Sequence, residues 1–147
     1  MVSSKRLNVT QNEFLNSFKF HYRTYQALAD DEKYMNDKRL ILFYAVECGL
    51  KCWIMKNNDL KDYNELVQYA KRKGIGDFGH NIKEMLKNRN MHEKYFLKNL
   101  KTSGGQRVEP KDLNQFWRYG VHADDQEVED KNVKVLDEIA RDLLKRL

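Results

Sequence analysis

The stretch "KRLILFYAVECGLKCWIMK", residues 38–56, decides the fold. Wound at 3.6 residues per turn, its apolar side chains nearly encircle the axis, which marks a helix buried on most sides and surrounded by other elements. Glu47 and Lys51 interrupt the run and stand at i and i+4, on one face. Charges inside such a helix need a reason, because unpaired burial is costly. Either they line a groove, with Lys51 turned toward a phosphate, or they form an intrahelical ion pair at the rim of the bundle. Cys48 and Cys52 repeat the same spacing and are neighbours on one element. That is neither a pair of CxxC zinc knuckles nor a disulfide framework.

A central helix requires helices around it, and the flanking sequence supplies them. Upstream, Thr10 and Glu13 make a capping box, and Phe14, Phe18, Tyr22 and Tyr25 recur at helical spacing to about Asp30. Downstream, a third helix is expected over roughly 62–72, with Leu66, Tyr69 and Ala70 facing inward. "KGIGDFG" must be a loop. "HNIKEMLKNRNMHEKYFLKNL" resumes a helical pattern that slips near Asn88 to Asn90, where a break is expected. "EPKDLNQFW" reads as a helix with Pro110 in its first turn, interrupted by Gly120. A last helix follows "HADD", with Val133, Leu136, Ile139, Ala140, Leu143 and Leu147 as its apolar stripe. Its acidic start and basic end suit the helix dipole. The expectation is an all-α fold, a compact up-down bundle of about five helices forming one domain over residues 1–147.

Bulk properties narrow the function. One proline and seven glycines argue against an all-β fold, and 17 aromatic residues against disorder. The longest apolar run, Leu40 to Val46, is far below the ~20 residues needed to span a bilayer, so no membrane partner is expected. With no signal-peptide type of segment and two free cysteines, a cytoplasmic setting fits. The net charge of +5 is concentrated in residues 51–101, where 12 Lys and Arg face 6 Asp and Glu. A basic middle third is compatible with a nucleic-acid partner, although a solvated lysine surface gives the same numbers. There is no phosphate-cradling glycine motif, no HExxH and no serine-nucleophile elbow, and no metal or cofactor is called for.

Three stretches, in order, resemble HEPN domains: "FYAVECGLKCWIM" the second helix of that family, "HNIKEML" the segment that opens its next core helix, and "WRYGVHADD" the element preceding its final helix. The resemblance implies a four- to five-helix bundle, usually a homodimer. It also implies one of two activities. Many HEPN domains are metal-independent ribonucleases of toxin–antitoxin and phage-defence systems, with an Arg-x(4–6)-His motif. Others bind RNA or nucleotide without cleavage and partner a nucleotidyltransferase or an antitoxin. In this chain Arg118 and His122 have three residues between them, and Gly120–Val121 stand where the second branch has Pro-Asp.

On that resemblance, Arg118 and His122 are the catalytic candidates. If the backbone is helical there, the two share one face and one phosphate. Histidine titrates in the range needed to move the 2′-OH proton, and arginine's fork suits the charge building on phosphorus oxygens. The plainer reading pairs Arg118 with Asp124 or Asp125 and leaves His122 at a bend. Glu47, Lys51 and Tyr119 are the groove-lining candidates, and Arg89 with His92 a second Arg/His pair at the expected helix break. Lys83, Lys87, Lys94 and Lys98 are candidates for backbone phosphates or for a solvated face. His80 reads as a helix cap with a structural role, and Phe43 and Trp53 as core.

Overall fold

The computed structural model describes residues 7–147, and the first six residues of the domain assigned to 1–147 lie outside it. Six α-helices carry the fold: α1 Gln11–Ala27, α2 Met35–Asn57, α3 Tyr63–Arg72, α4 Ile82–Asn88, α5 Leu113–Arg118 and α6 Gln126–Arg146. 3-10 turns precede α2 (Glu32–Tyr34) and α5 (Pro110–Asp112). Among the described residues the extended structure amounts to a two-residue antiparallel ladder, β1 Leu100–Lys101 with β2 Arg107–Val108, and two isolated bridges.

The central position of α2 is borne out. Twelve of its residues are buried, from Leu42 to Met55, and α1, α4, α5 and α6 pack around it. Gly49 explains how closely they approach. A β-carbon there would lie 2.8 Å from Leu143 Cδ1 and 2.9 Å from Phe18 Cδ1, so α1 and α6 meet across the groove that this missing side chain leaves. The capping box forms as read: Glu13 N–H donates to Thr10 Oγ1 at 3.1 Å, and Thr10 N–H to Glu13 Oε1 at 2.9 Å.

Six helices stand where about five were expected, and two of them stop abruptly. At the end of α5 the Val121 N–H donates to Phe116 O and the Gly120 N–H to Trp117 O, with Gly120 left-handed at φ +65°. This is a Schellman stop, which needs a residue that tolerates positive φ. Asn90 (φ +58°) does the same after α4, with Met91 N–H on Leu86 O. The slip near Asn88–Asn90 is therefore a true terminus, and residues 91–99 continue without a helix. Neither Arg/His pair lies on a continuous helix as a result.

The irregular segment is held by side chains that replace a helix's own bonds. Asn132, buried on α6, accepts from Lys98 N–H at 2.9 Å and donates to Lys98 O at 2.8 Å, completing both backbone groups. Tyr95 donates to Asp142 Oδ2 at 2.8 Å. A second anchor joins three helices. Glu129 on α6, 4% exposed, pairs with Arg39 of α2 and accepts from Trp117 Nε1 of α5 at 3.0 Å and from Gln126 Nε2 at 3.1 Å.

Candidate functional site

One stripe of α2 carries the half-buried Tyr44 and the buried Glu47 and Lys51 at i, i+3 and i+7, and two other elements converge on it. Lys51 Nζ donates to Glu47 Oε2 at 3.0 Å. His80 Nδ1 lies 2.7 Å from Glu47 Oε1. From the end of α5, Arg118 Nη2 donates to the Tyr44 hydroxyl at 2.6 Å. The Arg118 charge is close enough to oppose protonation of His80.

Burial sorts these groups by what they can do. Glu47 and Lys51 are 8% and 5% exposed, and the lysine ammonium also sits over the rings of Phe14 (5.9 Å) and Tyr63 (5.5 Å). Lys51 thus faces the core side and neutralises Glu47; it is not turned out toward a phosphate. The pair is the intrahelical ion pair of the second reading, and its carboxylate also holds His80 at the surface. His80 has a side chain about half exposed, and Arg118 is exposed. An ionised carboxylate only accepts, so Nδ1 of His80 carries the proton shared with Glu47, and Nε2 is left for whatever arrives from solvent.

His80 is not the cap of α4. Asn81 is, its side chain accepting from Glu84 N–H at 3.2 Å. This frees the His80 ring, at the end of the glycine loop, to swing onto α2.

The Glu47 hydrogen bond raises His80 above its ordinary 6.5, against partial burial and the charges of Lys51 and Arg118. Burial pushes the Glu47 carboxyl up, but the His80 bond and the Lys51 charge outweigh it and hold it below 4.5. A group raised on folding stabilises below its unfolded value and stops doing so as pH climbs through the folded one. The Glu47–His80 contact is thus at full strength below pH 6.5 on the histidine side, down to the acid range where Glu47 protonates. The stability gap between wild type and His80→Ala is expected to be widest at about pH 5–6.5 and to narrow toward pH 9. Urea unfolding at stepped pH measures it, and a gap independent of pH would contradict the contact.

The other sequence candidates are placed apart. Because α5 ends at Arg118 and the chain turns at Gly120, no hydrogen bond or ion pair joins Arg118 to His122. His122 is exposed, and its carbonyl accepts from Ser103 N–H at 2.9 Å and Ser103 Oγ at 3.2 Å. Arg118 likewise bonds neither Asp124 nor Asp125. Tyr119 is 70% exposed, next to Arg118, and lines a separate hollow with Gln115 and Val121. Arg89 does not meet His92. Its guanidinium stacks 5.0 Å from the Trp53 ring, with Arg146 4.7 Å from the same ring. Lys94 reaches Asp142 at 3.6 Å and lies over Tyr95, whereas Lys83 and Lys87 line a cavity beside α4. Cys48 and Cys52 are free thiols, Cys48 within 3.4 Å of Ser17 Oγ. Among the described residues no cluster of His, Cys, Asp and Glu is arranged to hold a metal ion, and no helix is long and apolar enough to cross a membrane.

Two members of the site escaped the sequence reading. Tyr44 had a signal, the i, i+3, i+7 spacing with Glu47 and Lys51. His80 had none in local periodicity, since it reaches Glu47 across 33 positions from a loop.

No known protein family, curated protein or solved structure matches this chain.

Proposed function

We propose that this chain is a HEPN-like, RNA-engaging protein that cleaves RNA without a metal, with His80 in place of His122 as the proton-transfer group. The observation that carries the reading is the 2.7 Å contact of His80 Nδ1 with a buried, lysine-neutralised Glu47, on the helix whose Tyr44 holds the Arg118 guanidinium. A buried carboxylate that fixes one imidazole nitrogen orients the other for general acid–base work. The same carboxylate already holds Lys51 and His80, which leaves a phosphate to be met by Arg118 directly.

The chemistry is a transesterification. Neutral His80 Nε2 takes the proton of an RNA 2′-hydroxyl as its oxygen bonds to phosphorus. The P–O5′ bond breaks, and the imidazolium returns the proton to the leaving 5′-oxygen. Arg118 stabilises the negative charge that builds on the non-bridging oxygens. The products are a 2′,3′-cyclic phosphate and a 5′-hydroxyl. The homodimer implied by the resemblance belongs to this proposal, as does a role in a toxin–antitoxin or phage-defence system.

A second reading, a non-catalytic module partnering an antitoxin or a nucleotidyltransferase, is favoured by the openness of the site, where the His80 side chain is 52% exposed. It needs the same cations but no proton transfer. Single-stranded RNA incubated with the purified protein in EDTA separates the two. The cleavage reading expects fragments ending in cyclic phosphate; intact RNA that is nevertheless bound supports the module.

A further inference from the structure

Beside α4 lies a cavity of about 350 Å³. Lys83, Lys87 and His92 form its basic wall, Leu97 its apolar floor and Phe96 its rim. Phe96 is 59% exposed, which is costly for a side chain with no polar atom. It is also held where it stands. Its neighbours Tyr95 and Leu97 are buried, Tyr95 is tied to Asp142, and both backbone groups of Lys98 are fixed by Asn132. The backbone that carries the exposed ring is thus anchored on both sides, which lowers the ordering cost of binding to it. Lys83 Nζ lies 5.5 Å from the ring centroid, so a cation accompanies one face of the ring.

We infer that this cavity is a nucleobase-stacking subsite for single-stranded RNA, with a base on Phe96 and the adjoining phosphates on Lys83 and Lys87. The inference rests on the RNA reading above and adds a place where the strand is gripped. Every base has a π-face, so a fixed aromatic beside lysines binds a single strand with little sequence demand. The lysines stand one turn apart on α4, about 6 Å along the axis. Glu84 also lines the cavity, and being acceptor-only it turns phosphate toward the lysines. Lys83 also lines the adjoining hollow with Asn81, the residue after His80, where Glu84 and Glu109 balance Lys83 and Lys111.

The test is fluorescence anisotropy on the full chain, in EDTA and carrying His80→Ala so that RNA stays intact. The probes are a labelled oligoadenylate and an abasic strand of the same length. Phe96→Ala is expected to weaken oligoadenylate roughly 5- to 100-fold and leave the abasic strand unchanged. Lys83→Ala with Lys87→Ala should lower the magnitude of the log–log salt slope by about 1.4. Circular dichroism checks that the variants fold, which the exposure of Phe96 favours. RNA bound equally well with and without Phe96 overturns the subsite and leaves the RNA reading standing. Absence of any RNA binding by the starting protein overturns both. A concentration-dependent dimer that Phe96→Ala abolishes, with RNA affinity intact, assigns the ring to a second copy of the chain and also overturns the subsite.

Discussion

Glu129→Ala is expected to lower the unfolding free energy by about 3–5 kcal/mol, the cost of stripping one partner from a buried ion pair. Glu129 receives the Arg39 guanidinium, the Trp117 indole N–H and the Gln126 amide together, so α2, α5 and α6 meet at one carboxylate. Its removal leaves the largely buried Arg39, whose Nε already has no partner, with Asp130 alone, and a buried indole N–H with nothing to accept it. Glu129→Gln keeps an acceptor oxygen and the shape, and should cost distinctly less. Urea unfolding with an unchanged m-value reads both changes. A loss below about 1 kcal/mol for the alanine variant would mean that surface charge pairing is all the contact provides. The result bears on function as well, because α5 ends in Arg118 and Glu129 grips the residue before it.

Arg118→Ala is expected to slow RNA cleavage about 10²- to 10³-fold, the usual cost of removing one preorganised donor from developing charge. Stability should hardly change, since the side chain is exposed. Arg118→Lys restores a charge but not the planar fork, nor both the Tyr44 bond and a phosphate contact at once, and should recover only part of the rate. Single-turnover cleavage under saturating protein separates this from weaker binding. An alanine variant within about threefold of wild type would remove Arg118 from the mechanism.

The parts of the fold legible in the sequence are those with a local physical cause. The encircling apolar pattern of residues 38–56 made α2 central, and the Thr10–Glu13 box started α1. Gly120 and the slip near Asn90 marked breaks. What they did not reveal was that each break is a full helix stop, because a Schellman motif is built from backbone bonds that Asn can make nearly as well as Gly. The two-residue ladder of Leu100–Lys101 with Arg107–Val108 is too short to carry an alternating pattern.

The candidate site was half legible for the same reason. Glu47 and Lys51 share one helix face, and their spacing announced them. Arg118 was singled out as a catalytic candidate, but its partner was sought four residues on, as if α5 continued, and the structure turns it onto Tyr44 of α2. The stop at Gly120 sends His122 to Ser103 instead, and the histidine beside the Arg118 charge arrives from a loop whose position only the folded chain defines.

The central claim is that His80, not His122, is the proton-transfer residue of this surface. It is tested most directly by measuring the rate of RNA cleavage in EDTA for wild type, His80→Ala and His122→Ala side by side. The account predicts a loss of about 10²- to 10⁴-fold for His80→Ala and a rate near wild type for His122→Ala. Cleavage that survives loss of His80 but disappears with His122 would contradict it.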